Sequence, residues 1–151
     1  MAHHFAKGVV SLCKKRHNFR MEKEYWSGGH TKHKLRYHIV WVPKYRKRVL
    51  GNLLAKRLEE LLKQACEVNR WRIEELNIQK DHVHLLIQVW ADKPVSMIIQ
   101  ILKGGTSKRL REEFPEIEEF LWGDSFWADG YFAETVGIAD EEMVRRYIRE
   151  Q

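Results

Sequence analysis

The chain has 151 residues, 44% of them apolar, and carries 27 Lys and Arg against 21 Asp and Glu, a net charge of +6. That length makes one domain, able to bury about two thirds of the surface its unfolded form exposes and leaving no room for a cofactor domain beside it. Cys13 and Cys66 stand alone, which excludes a disulfide scaffold and a cysteine zinc site, and no apolar run is long enough to span a bilayer, so a reducing cytoplasmic setting without a membrane is expected. The charge favours a polyanionic partner. Six Trp, five Tyr and six Phe add ring faces for unpaired bases, although more than half of them are expected in the core.

Residues 1–34 are basic and non-periodic, with Gly28 and Gly29 near their end, and read as a poorly ordered arm. Such an arm could track a phosphate backbone, or be a leader without function in which His3 and His4 carry no weight. Residues 35–42 alternate Leu35, Tyr37, Ile39 and Trp41 against Arg36, His38, Val40 and Val42, the period of a strand, which Pro43 ends. Directly after come Lys44, Tyr45, Arg46, Lys47 and Arg48, four cations around one ring: a phosphate grip, or simply a solvated turn. Asn52 is placed to cap a helix over 53–69, whose Leu54, Leu58, Leu61, Leu62 and Ala65 recur at helical spacing.

Residues 71–78 form a weaker strand with a bulge expected near Glu74 and Glu75, followed by a short turn in which Asp81 is read as a turn residue. Residues 81–89, DHVHLLIQV, alternate strictly: Val83, Leu85, Ile87 and Val89 face one way, and His82, His84, Leu86 and Gln88 the other. Two imidazoles two residues apart on a strand lie about 7 Å apart at their Cα atoms and can converge on one ion or phosphate; alone, the pair equally suits a solvated face. Pro94 opens a helix with Val95, Ile98, Ile99, Leu102 and Leu110 as its stripe. Gly104 and Gly105 interrupt it at a cost of roughly 2 kcal/mol, so either the helix kinks or something approaches its backbone. With Lys103, Lys108 and Arg109 around them, a nucleic-acid backbone is one candidate.

Pro115 ends that helix. A last strand is expected over 131–136, then a hinge at Gly137, an Asp140 cap and a final helix in which Val144, Tyr147, Ile148 and Gln151 share a face. The order strand, helix, strand, strand, helix, strand is that of an α+β ferredoxin-like or RRM-like antiparallel sheet (βαββαβ), with helices on one face and one extra C-terminal helix. If that last helix packs over the histidines, His82, His84 and the Gln151 side-chain carbonyl make three ligands for a divalent ion, Mg²⁺ or Mn²⁺, with Zn²⁺ also compatible. Tyr147 would then point its hydroxyl at a phosphorus.

Five stretches in order, YHIVWVPKYR, HVH in a strand, KGGTSKRLR, GYFAETVG and the final RRYIREQ, resemble the single-tyrosine HUH transposases of the insertion-sequence two-hundred-like family, over residues 35–151. The resemblance implies a divalent-metal-dependent enzyme that cuts and rejoins single-stranded DNA at the ends of an insertion sequence through a 5′-phosphotyrosine. Tyr147 is then the nucleophile and His82, His84 and Gln151 the metal ligands, while Lys44, Arg46, Lys47, Arg48, Lys103, Lys108 and Arg109 contact DNA. It also implies hairpin ends as substrate and a homodimer in which the tyrosine helix of one subunit serves the histidines of the other. One departure is that the sequence stops at Gln151, so no further turn holds that ligand. Two other readings use the same residues: a non-enzymatic single-strand binding module, which gives no reason for the histidine pair and the tyrosine to occur together, and a relaxase or replication-initiator nuclease, which usually carries extra domains.

Overall fold

Strict alternation along two central strands calls for a sheet with one apolar face, and the computed structural model, which describes residues 25–137 and 140–151, has one. The chain divides into two compact units, Met1–Lys34 and Leu35–Gln151. In the first, the described residues form a small hairpin of β1 (Trp26–Ser27) and β2 (Lys32–His33) with Trp26 opposite His33. The ammonium groups of Lys32 and Lys34 lie 5.7 and 5.8 Å from the Tyr25 ring. The expected arm, with His3, His4 and Cys13, lies up to position 24 outside the described residues.

The second unit runs β3 (Leu35–Trp41), α1 (Asn52–Asn69), β4 (Arg72–Gln79), β5 (His82–Val89), α2 (Val95–Glu113), α3 (Glu118–Leu121), β6 (Phe132–Thr135) and α4 (Glu141–Arg149), with single 3₁₀ turns at Lys44–Arg46 and Pro115–Ile117. The sheet order is β4-β5-β3-β6 with all neighbours antiparallel, the expected βαββαβ arrangement. One face is a dry core: Ile39, Val83, Leu85, Ile87 and Val89 pack against Leu58 and Leu62 of α1 and Ile98 and Leu102 of α2. Trp41 meets Trp127 edge-on at 5.9 Å, and the Trp127 indole donates to the Thr106 hydroxyl at 3.0 Å, so the buried ring keeps a polar partner.

Several expectations are corrected. Asn52 is the first helical residue with φ of +51°, not the cap; Gly51 precedes it and no side chain closes that end. α2 passes unbroken through Gly104 and Gly105, because Ile98, Ile99, Leu102, Thr106 and Leu110 bury one continuous stripe that outweighs the low helix propensity of glycine. Both glycines are exposed, and a β-carbon on either would meet nothing within 4 Å. The last strand starts at Phe132, leaving Tyr131 outside it. α4 ends at Arg149, so Gln151 lies beyond the helix and not one helical turn from Tyr147 within it. Asp140 stands at the start of α4 but its side chain makes no cap bond.

The second face is covered by α4 through a small apolar seam of Leu86, Val136, Val144 and Ile148. Around it the contacts are polar. The bulge between Ile73 and Glu75, expected near this point, presents both Glu74 and Glu75 to α4. Arg145 reaches Glu74 at 2.9 Å and Glu141 at 2.8 Å, Arg149 reaches Glu75 at 2.6 Å, and the buried Arg36 pairs with Glu74 at 3.2 Å and Glu141 at 2.8 Å. Asn77 and Gln79, the next outward residues of β4, donate to the backbone carbonyls of Ile148 (2.8 Å) and Gln151 (2.9 Å). The lone terminal residue therefore has a holder that sequence reading did not supply.

Candidate active site

His82 and His84 lie on the α4 side of β5, with ring centroids 4.9 Å apart. The site is not the solvated face that the pair could equally have decorated, since His84 is only 5% exposed. His82 Nδ1 lies 2.7 Å from Asp81 Oδ1. A carboxylate only accepts, so Nδ1 carries the hydrogen, and in the neutral ring Nε2 is the nitrogen with the lone pair. That Nε2 is buried and has no hydrogen-bond partner among the described residues. Asp81 is thus more than the turn residue read from sequence: it orients His82, also accepts from Arg46 Nε at 3.2 Å, and the bond from His82 holds its carboxyl below the usual carboxylate range.

A third histidine joins them. His38 stands opposite Leu86 in the β3–β5 register, one diagonal step from His84, and directly opposite Glu134 in the β3–β6 register. Its Nε2 is 3.2 Å from His84 Nδ1, its Nδ1 is 2.9 Å from Glu134 Oε1, and the two imidazoles stack at 5.5 Å. Burial pushes the His84 pKa down to about 4, so at neutral pH it keeps a free lone pair. Sequence reading missed His38 and Glu134. The available signal was a histidine in the middle of an otherwise apolar strand, on the same side as Arg36.

α4 brings Tyr147 edge-on to both rings, 5.7 Å from His84 and 6.1 Å from His38 between centroids. The tyrosine of this chain therefore sits over the histidines of the same chain. Together with Gln151, Arg46, Phe132 and Met143 these residues line a cavity of about 670 Å³, and Tyr147 is half exposed to it. Among the described residues no three His, Cys, Asp or Glu side chains converge into a metal cage. What the cavity does offer is an orphaned His82 Nε2, a His84 ring held uncharged and the Gln151 amide, a donor set that fits an open, exchangeable divalent site and not a closed structural one.

The expected DNA-contact residues fall into four groups. Arg46 lines the cavity, while Lys47 and Arg48 are exposed and make no ion pair among the described residues. Lys44 is tied to Asp124 at 3.4 Å, and Tyr45, at φ +58° and 62% exposed, donates to the same carboxylate at 3.2 Å, which pins the loop. Lys108 and Arg109 are exposed on α2, across the sheet from the histidines. Lys103 is already engaged: its ammonium donates to the carbonyls of Ala128 (2.7 Å) and Gly130 (2.9 Å), and burial lowers its pKa. Tyr131 lines a separate groove beside Lys103 and Gly104 that none of the three histidines lines.

Clustered histidines lie beneath a tyrosine-bearing helix on a ferredoxin-like sheet, and the comparisons with known proteins place the chain among DNA strand transferases. The family model described as "Transposase IS200 like" matches residues 31–151. The chain belongs to the IS200-like transposase family. It is 29% identical over 119 residues to the ISDra2 transposase TnpA of Deinococcus radiodurans, a match that spans 79% of this chain and 85% of that protein. It is 32% identical over 123 residues to the transposase for insertion sequence element IS200 of Salmonella typhimurium, covering 82% and 80%. A crystal structure of a Deinococcus radiodurans transposase superposes with a TM-score of 0.69 at 28% identity, over 83% of this chain and 97% of that one. A REP-associated tyrosine transposase bound to a REP hairpin shares the fold, with a TM-score of 0.58 at 11% identity over 81% and 70%. Among the described residues no helix is long and apolar enough to cross a membrane.

Proposed function

We propose that the protein cuts and rejoins single-stranded DNA at the ends of an insertion sequence, with Tyr147 as the nucleophile. One observation carries this reading: Tyr147 is the tyrosine that lies against His84 and His38, in a cavity it shares with His82 and Gln151. The Tyr147 oxygen forms a bond to the scissile phosphorus, the P–O3′ bond breaks, and the proton lost by the phenol is balanced by the one gained by the leaving 3′-OH. A second 3′-OH then attacks the 5′-phosphotyrosine and returns the phenol. The number of phosphoester bonds is conserved, so rejoining needs no nucleotide. A divalent ion, Mg²⁺ or Mn²⁺, would be held by His82, His84 and Gln151, and supplies charge neutralisation and polarisation of the phosphate. Asp81 keeps His82 Nε2 bare for that purpose, and Gln79 steadies the Gln151 backbone.

Lys47 and Arg48, with Arg46 at the cavity mouth, grip the phosphates leading into the site, and Tyr45 offers a ring for an unpaired base. Lys108 and Arg109 make a second contact on the far side, where a hairpin end could lie. Hairpin recognition draws its support from the hairpin-bound structure of the REP-associated relative. A homodimer exchanging α4 about Gly137 belongs to the same proposal; the polar docking of α4 suits it, because ion pairs re-form on an identical partner sheet. The test is incubation with a labelled single-stranded element end and Mn²⁺, followed by denaturing electrophoresis. Wild type gives a covalent band, Tyr147→Phe gives none, and His82→Ala gives none while still shifting the hairpin in a native gel. An adduct that survives in Tyr147→Phe sinks the assignment. If Tyr147→Phe mixed with His82→Ala regains activity, α4 is exchanged between subunits.

A further inference from the structure

We infer that His38, backed by Glu134, is a positioning residue that decides which nitrogen of His84 carries its hydrogen. The inference rests on the reading of the cavity as the reaction site. The two candidate ligands are held differently. His82 has its own carboxylate, Asp81, on Nδ1 at 2.7 Å, and that contact puts the lone pair of the neutral ring on the unpartnered Nε2. On His84 Nδ1 the partner is instead another imidazole, His38 Nε2, at 3.2 Å. An imidazole nitrogen can donate or accept, so this contact by itself does not select a tautomer.

Glu134 does. It lies 2.9 Å from His38 Nδ1 and is the directly paired residue on β6. Because a carboxylate only accepts, His38 Nδ1 bears a hydrogen, and in the neutral ring Nε2 is then the lone pair. His84 Nδ1–H donates to it, both contacts are satisfied with one hydrogen each, and His84 Nε2 is left bare beside His82. The chain Glu134, His38, His84 thus performs across three strands what Asp81 performs for His82 by adjacency, and both histidines present the same nitrogen. The opposite arrangement, with the hydrogen on His84 Nε2, would turn that nitrogen into a donor unable to ligate. The chain is well held: His38 is 4% exposed, its ring is stacked on His84, and Phe132 closes its flank at 5.7 Å.

The test reads the tautomer without metal and without activity. In the metal-free full chain labelled with ¹⁵N-histidine, two-bond ¹H–¹⁵N correlations should find the His84 hydrogen on Nδ1. In His38→Leu, which removes the acceptor and keeps the bulk, His84 should become a mixture of tautomers, and Mn²⁺ affinity measured by titration calorimetry should fall about 10- to 100-fold. His38→Gln, whose side-chain carbonyl can stand near the former Nε2 position, should restore most of both. A His84 hydrogen on Nε2 in the wild type, or a His84 spectrum unchanged in His38→Leu, overturns the inference. Should wild type take up no Mn²⁺ while its His84 tautomer still depends on His38, the metal reading of the cavity falls and the positioning role stands.

Discussion

The two faces of the sheet are held by different forces. Beneath α1 and α2 lies a continuous apolar core in which Leu58, Leu62, Leu85, Ile87, Ile98 and Leu102 are fully buried. Beneath α4 the apolar seam is small, Leu86, Val136, Val144 and Ile148, with Tyr147 edge-on to His84 and His38, and around it Arg36, Arg145 and Arg149 pair with Glu74, Glu75 and Glu141 while Asn77 and Gln79 bond the end of the chain. Hydrophobic burial is non-directional and strong per area, whereas the pairs of the partly exposed Arg145 and Arg149 contribute about 0–1 kcal/mol each, and the buried Arg36–Glu74 pair offsets its gain against its own desolvation. The first face therefore sets global stability, and the second sets where one helix rests. A helix carrying the proposed nucleophile would gain from this, since it could open without unfolding the domain.

The largest stability effect should come from cutting into the first face. Leu58→Ala is expected to lower the unfolding free energy by about 2–5 kcal/mol, read from the urea midpoint. A drop as large from Val144→Ala would mean that the two faces are not energetically distinct. Next, Arg145→Ala should shift the global midpoint by less than about 1 kcal/mol, yet speed amide exchange across Glu141–Arg149 and reduce adduct formation. A midpoint drop without faster local exchange would show α4 to be part of the global unit.

On the rim of the second face, Arg46→Glu with Arg48→Glu should weaken single-strand binding and reduce the slope of log affinity against log salt by about one for each phosphate no longer neutralised. An unchanged slope would remove this loop from the DNA path. The smallest effect concerns Cys66, which α1 directs into the first face. Burial pushes its thiol up to about 12, so it should resist alkylation at pH 8 and react only as the domain unfolds. Rapid labelling of native protein at Cys66, located by peptide mass, would contradict a dry core.

How much could be read in advance depended on whether a feature is local. Alternation in β3 and β5 follows from the period of two of an extended chain, so Ile39, Val83, Leu85 and Ile87 could be placed in the core and His82 and His84 opposite them without any knowledge of tertiary structure. The βαββαβ order, the bulge at Glu74 and the basic loop are equally local. The glycine pair misled, because helix propensity is a weak preference that a buried stripe overrides, and α2 runs straight through it. Lys103 reads as one more cation until the loop at Ala128–Gly130 supplies it with two carbonyls.

What sequence by itself determined is the pair of faces, the histidine pair on one of them and the tyrosine on a separable last helix, all of which depend on spacings within single elements. The tertiary structure alone decided that β3 registers His38 one diagonal step from His84, that β6 delivers Glu134 to its other nitrogen, and that Asn77 and Gln79 receive the end of α4. Those contacts join residues 46 to 96 positions apart: strand pairing brings His38 to His84 and Glu134, and the packing of α4 on the sheet brings Ile148 and Gln151 to Asn77 and Gln79.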